Sequence, residues 1–468
     1  MANSLKKGML HVFVANVISL VFSLLTNFIL PKFLSVDSYS AIKTYQLYIV
    51  YIGILHFGYE DGMYIKYGGK NIKEIDGDDL GTNLFTLRIF QVFMTLSMIV
   101  VALIIQDDIF LAFSFAILPV NLVAYFKLLF QAIGEFSTYG RAMNFTSIVT
   151  FLINIVLVFL IKTDNYRFFI FLYVVCNIVL WIVLEIYLKN KIPKCNKVKK
   201  FSFLELKENI WVGLPLTLGN FSSVLLTSID RWFVKFLLTT LAFAQYSFAV
   251  STESFINVAL TPIVVTLYNY FCKHTEIKEI KKIRNSIMIF ASIIVSCAFG
   301  AKFIIEIFLN KYTDSIDVMF ILFASQIFYV VIKGVYVNIY KSQKRQKDYF
   351  WKLIIVVIIG IVLNGIFFFI VPVKESFAFA TLVSAAIWLV ICVHDFPDIN
   401  LKINEILFFI ITVSTFIFCG IIFNSIIGFF VYIAIALISA YFLLKKETMY
   451  LFMMIYNYLN NIKKKIKG

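Results

Sequence analysis

Charge is scarce in this sequence. Asp, Glu, Lys and Arg fill 15% of 468 positions while hydrophobic residues fill 61%, against roughly 25% and 45–50% in an ordinary soluble domain. That ratio excludes a water-soluble globule and indicates a polytopic membrane protein. Cysteines are few and scattered: Cys176, Cys195, Cys272, Cys297, Cys392 and Cys419 show no CxxC spacing, so neither a disulfide framework nor a thiolate metal site is expected. The four histidines, His11, His56, His274 and His394, show no HExxH pattern, which argues against a metal or acid–base centre. After KKGML there is no small-residue cleavage site, so the first apolar run is expected to be a retained helix.

What is present is a succession of long apolar blocks. Spanning a hydrocarbon core of about 30 Å takes about 20 helical residues. Fourteen blocks qualify, near 8–30, 39–62, 81–105, 109–133, 141–161, 168–188, 210–234, 241–268, 285–309, 316–340, 353–371, 377–396, 406–423 and 426–444. The last two, parted by Asn424 and Ser425, read either as two spans or as one re-entrant hairpin.

The formal charge of +15 follows this map. With the N-terminus in the cytoplasm, 30 of the 42 Lys and Arg residues fall in cytoplasmic segments and six in external ones. This is the positive-inside pattern of a multi-pass membrane protein with both termini inside. The same distribution argues against a nucleic-acid partner. External connections such as QDD, PVKES and NS are too short for a folded outer domain.

An internal repeat is visible. Asn16, Ser19, Ser23 and Asn27 in the first span and Asn220, Ser223, Thr227 and Arg231 in the seventh share the spacing i, i+3, i+7, i+11, one stripe of a helix. The two sets are offset by 204 residues. Lys32–Phe33–Leu34 and Lys235–Phe236–Leu237 are offset by 203, and Lys127 and Lys333 by 206. The expected architecture is all-α with about 14 transmembrane helices. It comprises a six-helix bundle over 1–188, a basic cytoplasmic linker over 189–209, and a second, pseudo-symmetric six-helix bundle over 210–396. Helices 13 and 14 follow over 397–444, then a basic cytoplasmic tail over 445–468, placed on the anionic leaflet.

Two stretches carry a family resemblance. ILPKFLSVDSYSAIKTYQLYIVYIGILHFGYEDGMYIKYGG resembles the first-to-second-helix region of the polysaccharide-transport flippases, within the multidrug/oligosaccharidyl-lipid/polysaccharide exporter superfamily. VGLPLTLGNFSSVLLTSIDRWFVKFLLTTLAFAQYSFAVS is similar to their seventh and eighth helices. The chain departs from the family at Ser40 and Ala41, where glycine is frequent. The resemblance implies two six-helix bundles around a central cavity, two additional helices, and no enzymatic activity. Its implied cargo is an undecaprenyl-diphosphate-linked oligosaccharide, an O-antigen or capsule repeat unit, turned from the cytoplasmic to the outer leaflet. Membrane lipids and polysaccharide polymerase machinery are the partners it implies.

Six basic residues fall inside spans, where a charge costs at least about 2.5–3.5 kcal/mol near the centre. Lys302 has Glu306 at i+4, an expected local pair. Lys43 lies near a helix end; it can snorkel to the outer headgroups beside Tyr45, Tyr48 and Tyr51, or line a cavity. Arg88 with Gln91 and Thr95, Lys127, and Lys333 with Gln326, Tyr329, Tyr336 and Tyr340 are expected to line the substrate cavity, snorkelling being the competing reading. The stripes Asn16, Ser19, Ser23, Asn27 and Asn220, Ser223, Thr227, Arg231 are expected there too, offering hydrogen bonds to sugar. No cofactor is expected. Glu253 and Asp230 are candidates for coupling to an H+ or Na+ gradient, against a purely structural role. A membrane glycosyltransferase or repeat-unit polymerase, and a cation-coupled drug antiporter of the same superfamily, are the alternative functions.

Overall fold

A computed structural model describes residues 2–192, 200–273, 276–453 and 456. Among them the chain is helical throughout, in two compact units, Met1–Ser228 and Ile229–Gly468. Among the described residues twelve helical stretches are long and apolar enough to cross a membrane. The two remaining blocks, 39–62 and 241–268, are the second and eighth in order. Both are apolar, but in each the helix is broken.

In the first unit, α1 (Ala2–Phe33) is followed by α2 (Val36–Ile49), a 3-10 turn at Ile52–His56, α3 (Tyr59–Tyr67) and a 3-10 turn at Ile72–Glu74. Next come α4 (Gly77–Ile105), α5 (Asp108–Ala132), α6 (Phe136–Ile155) with a π-helical turn at Val156–Ile161, α7 (Tyr166–Lys191) and α8 (Phe203–Leu226). The break between α2 and α3 is made by Phe57 and Gly58, both left-handed at φ 50° and 93°. In a bilayer the backbone groups released by such a break need internal partners. His56 Nδ1 accepts from the Gly58 N–H at 3.0 Å, and Gln91 Nε2 of α4 donates to the Leu55 carbonyl at 3.3 Å. The core between α3, α4, α5 and α7 is built on Tyr59, Met63, Leu84, Tyr125, Phe126 and Leu184.

The second unit holds α9 (Ile229–Leu237), α10 (Thr240–Glu253), α11 (Ile256–Phe271), α12 (Ile277–Ile294) and α13 (Cys297–Phe308). A 3-10 turn at Asn310–Ser315 leads into α14 (Ile316–Val331), a π-helical turn at Ile332–Tyr336 and α15 (Val337–Ser342). The unit is completed by α16 (Gln346–Ile370), α17 (Lys374–Asp395), α18 (Ile403–Ile422) and α19 (Ser425–Leu443). The α10–α11 break follows a run of hydroxyls bonded back onto their own helix. Ser251 bonds to the Ser247 carbonyl, Thr252 to Phe248 and Ser254 to Ser251, at 2.8, 2.9 and 2.7 Å. Such back-bonds compete with the helical ladder and bend it. Thr227 and Ser228 do the same at the end of α8, which divides the seventh span from α9.

The repeat is expressed in these details. Helices α2 and α10 are each 14 residues long, with N-caps Ser35 and Thr239 that accept from the N–H three residues on. The turn after α5 has Gly134 left-handed and a bond from the Glu135 N–H to the Phe130 carbonyl of 2.8 Å. The turn after α15 has Lys344 left-handed and a bond from the Arg345 N–H to the Tyr340 carbonyl of 2.8 Å. Both are helix ends closed by a 6→1 bond over a left-handed residue.

The last two blocks form two helices of 20 and 19 residues, each about 30 Å long at 1.5 Å per residue, so each is long enough for a full span. They pack on the rest of the second unit. Gly420 lies under the Phe320 ring and Gly428 under Phe299, at distances that exclude any Cβ. Arg284 of α12, fully buried, pairs with Glu405 of α18 at 2.6 Å and donates to the Ile399 and Asn400 carbonyls. The expected linker is helical at both ends, since α7 runs to Lys191 and α8 begins at Phe203. Residues 193–199, with Cys195, lie outside the described residues, as do 454–455 and 457–468 of the expected tail. The first part of that tail, residues 445–453, is helical and lies along α12. Asn285 donates to Glu447 at 3.2 Å, and Lys282 stands 3.3 Å from the Tyr450 ring centre.

Candidate functional site: charges within the spans

In the first unit Lys43 is 8% exposed. Its Nζ donates to Asn27 Oδ1 at 3.1 Å and stands 5.2 Å from the Tyr39 ring. The lysine is therefore turned inward to the Asn27 end of the first-span stripe and does not snorkel. Nor do the tyrosines form an interfacial set: Tyr45 is buried against Tyr173, Tyr48 donates to Asp107 at 3.1 Å, and Tyr51 shares a hydrogen bond with Ser228. The rest of the stripe divides. Asn16 is half-buried, Ser19 is bonded to Ser147 of α6 at 2.9 Å, and Ser23 is exposed. Asn220, Ser223 and Thr227 on α8 are exposed. The helix break at Thr227–Ser228 removes Arg231 from their stripe, because helical spacing holds only along an unbroken helix.

Arg88 is ion-paired with Glu185 of α7 at 2.8 Å; the same carboxylate holds Lys189 at 2.5 Å and the Trp181 indole N–H at 2.9 Å. Gln91 is fully buried and accepts from Asn121 at 2.8 Å. The stripe that begins at Arg88 thus ties α4 to α5, α7 and the broken second span. Lys127 differs: it is half-buried beside the Cys176 thiol of α7, and no carboxylate pairs with it among the described residues. Lys302 donates to the Gly420 and Phe423 carbonyls at 2.7 and 2.5 Å, with Glu306 further away at 3.7 Å. It caps the C-terminal end of α18, where exposed carbonyls and the helix dipole favour a cation.

The second unit gathers charges of both signs. Asp230, 4% exposed, accepts from the Tyr246 hydroxyl at 2.6 Å, the Thr381 hydroxyl at 3.3 Å and the Arg231 N–H at 2.8 Å. Glu253, on the last turn of α10 at the span break, accepts from Gln326 Nε2 of α14. Lys333 lies in the π-helical turn with its Nζ 5.4 Å from the Tyr329 ring. Glu253 is an electrostatic neighbour of Lys333, Arg231 and Asp230, and Tyr329 of both carboxylates. Arg231 Nε is buried without a hydrogen-bond partner among the described residues. The seventh, eighth, tenth and twelfth spans therefore bring two carboxylates and two cations into one group. Such a group can hold an anion on its cations and a proton or small cation on its carboxylates.

Several partners escaped sequence reasoning. Glu185 is a lone acid within a span, WIVLEIYLK, and that isolation is the signal that a cation must meet it. Glycines at 58, 62 and 213 mark a close helix crossing: a Cβ at Gly213 would lie 2.0 Å from the Gly58 carbonyl oxygen, and one at Gly62 would lie 2.1 Å from that of Asn209. GYEDG is a small-xxx-small pattern of the kind that lets membrane helices approach closely.

No family model matches the sequence, and no curated protein does. Solved structures do share its fold. The lipid II flippase MurJ in an inward closed conformation superposes with a TM-score of 0.60 at 14% identity, covering 92% of this chain and 98% of that one. An inward-facing multidrug resistance MATE family transporter of the MOP superfamily gives 0.56 at 12% identity, over 85% and 95%. The chain has the fold of these multi-pass membrane proteins along nearly its whole length.

Proposed function

We propose that the protein is a flippase that carries an undecaprenyl-diphosphate-linked oligosaccharide repeat unit, of an O-antigen or capsule, from the cytoplasmic to the outer leaflet of a bacterial inner membrane. The observation that carries this reading is the placement of intramembrane cations. Lys127 and Lys333 lie in the fourth and tenth spans, 206 residues apart, and among the described residues Lys127 has no counter-ion and Arg231 has a buried nitrogen without a hydrogen-bond partner. An unpaired cation inside a span is expensive, and a diphosphate supplies the missing charge. The broken second and eighth spans support it: interrupted helices at corresponding positions of two repeats are where membrane transporters build their binding sites. The fold shared with a lipid II flippase is compatible with a lipid-linked cargo.

In this reading the prenyl tail stays in lipid while the headgroup crosses by alternating access. Both termini lie in the cytoplasm, as the distribution of basic residues supports. Asp230 and Glu253 take up the proton or sodium ion whose gradient drives the cycle. These two carboxylates also favour a second reading, a cation-coupled drug antiporter, which the fold shared with a MATE transporter equally allows. The test is flipping of a fluorescent undecaprenyl-diphosphate oligosaccharide in proteoliposomes. Lys127→Ala and Lys333→Ala, each at wild-type protein level, are expected to slow it by tenfold or more, an estimate at about 1.4 kcal/mol per decade. Unaltered flipping in both variants, or extrusion of organic cations without flipping, would overturn the flippase reading.

A further inference from the structure

A groove of about 620 Å³ runs between the N-terminal halves of α5 and α7 in the first unit. Its wall is apolar, with Ala112 and Phe115 on one side and Phe171, Val174 and Ile178 on the other. The space is left because Ala112 and Val174 are short. Tyr166 and Ile178, at its two ends, are twelve residues apart, about 18 Å of helix. Half of a hydrocarbon core is about 15 Å, so the groove is as long as one leaflet is deep. Over that length the volume amounts to a cross-section of about 34 Å², whereas a helix about 10 Å across fills roughly 80 Å². The groove is therefore too narrow for a partner's helix, and its length is that of one acyl chain. Phe171, Val175, Ile178, Ile182 and Ile186 form one stripe of α7 that reaches the surface without a polar residue. Such a stripe meets acyl chains and not a water-filled passage.

Charge lines the groove at one end only. Asp108 and Arg167, in the first turns of α5 and α7, are ion-paired there, with side chains 58% and 65% exposed. The adjacent Asp107 is engaged by the Ile109 and Phe110 N–H groups and the Tyr48 hydroxyl. The Tyr166 ring centre lies 6.0 Å from the Arg167 guanidinium, an aromatic and a cation together at headgroup level. Apolar contact alone gives a bound chain little preference over bulk lipid, whose tails are as apolar as the wall. Selectivity must come from the headgroup. The exposed pair sets a cation beside an anion, and a headgroup of phosphate and primary ammonium presents the inverse. Arg167 can donate to the phosphate while the ammonium donates to the Asp108 carboxylate. We propose that the groove binds one phospholipid of the phosphatidylethanolamine class, an acyl chain lying between α5 and α7 and the headgroup laid across the Asp108–Arg167 pair. A net-anionic headgroup would satisfy Arg167 but meet the Asp108 carboxylate, and a trimethylated ammonium has no N–H to give. The inference stands whichever cargo is carried.

The test is photo-cross-linking of the full-length protein in nanodiscs of equal phosphatidylethanolamine and phosphatidylglycerol, with the captured lipid identified by mass spectrometry. The probe is Phe115→p-benzoylphenylalanine, in the groove. The reference is Val362→p-benzoylphenylalanine, on the exposed apolar stripe of α16. The two positions lie seven and eight residues from their helix ends, about 10–12 Å deep in each case. At Phe115 the ethanolamine lipid is expected to be captured in at least about threefold excess over the ratio at Val362. Arg167→Gln and Asp108→Asn are each expected to bring the two ratios together. Replacing the ethanolamine lipid by phosphatidylcholine is expected to abolish the excess with the groove unaltered, so the proposal stays testable if neither substitution is recovered from membranes. Equal ratios at the two positions, preference for the glycerol lipid, an excess that survives both substitutions or the choline exchange, or capture of a second copy of the chain at Phe115 would each overturn it.

Discussion

Adding one methyl group at Gly213 is expected to unseat α3 from α8. The new Cβ would lie 2.0 Å from the Gly58 carbonyl oxygen and 2.4 Å from the Gly62 nitrogen. Both obstacles are backbone, so no side chain can swing aside. Ordinary contact begins at 3.4 Å, so the helices must part by about 1.4 Å, a gap that forfeits much of the dispersion energy along the seam. Overpacking of this kind costs about 1–3 kcal/mol, occasionally more. The Thr217–Asp61 bond and the Glu205–Lys66 contact span the same seam and lengthen with it. Gly219→Ala is the matched control: it lies on the same helix with nothing within 4 Å of the added atom. There, alanine is expected to be neutral or stabilising by up to about 1 kcal/mol, from helix propensity alone. Hydrogen exchange of α3 and α8 in nanodiscs is expected to rise at least fivefold in Gly213→Ala and not in Gly219→Ala, with α14 unaffected in both. Equal exchange in the two variants would show that the crossing is not the tight contact inferred.

Arg284→Met alone strands Glu405 in the core of the second unit and is expected to destabilise it by about 3–5 kcal/mol; adding Glu405→Leu should recover most of that. A double-mutant cycle on unfolding in mixed micelles measures the coupling, and additive single effects would refute it. Lys66 loses something to burial, but its bonds to Asp79 and Glu205 outweigh that and raise its amine above the usual lysine range. A raised folded value means stabilisation that is complete below the unfolded value near 10.4 and lost as pH rises through the folded one. Lys66→Met is therefore expected to lower stability at neutral pH and to remove part of the alkaline limb of the stability profile. An unchanged limb counts against the bridge.

The spans were legible in the sequence because length and apolarity in a bilayer are nearly sufficient to specify a helix. The orientation reading rests on loop lysines in the same way. The repeat was legible through polar residues, and its clearest structural expression, the paired caps Ser35 and Thr239, sits at the offset those residues mark. The breaks in the second, seventh and eighth spans were not legible. Hydroxyls that bond back onto their own helix, and a left-handed phenylalanine, leave no periodic trace. Charge partners were hidden for a different reason. Arg88 and Glu185 are far apart in sequence and Lys43 and Asn27 lie on different helices, and single-sequence spacing contains no term for which helices will touch. Lys302 keeps the local pair with Glu306 that i+4 spacing suggests, at 3.7 Å, and adds two carbonyls at the end of a distant helix that spacing could not show.

The wider winding at Ile332–Tyr336 accommodates one residue more than an α-helix would over the same rise. Should it tighten, that residue must be passed along the rod, turning everything beyond it by about 100° and advancing it about 1.5 Å. Lys333 is wound into that slack coil. A corkscrew of a single step would re-aim its ammonium group while leaving α14, which carries Gln326 and Tyr329, clamped in place.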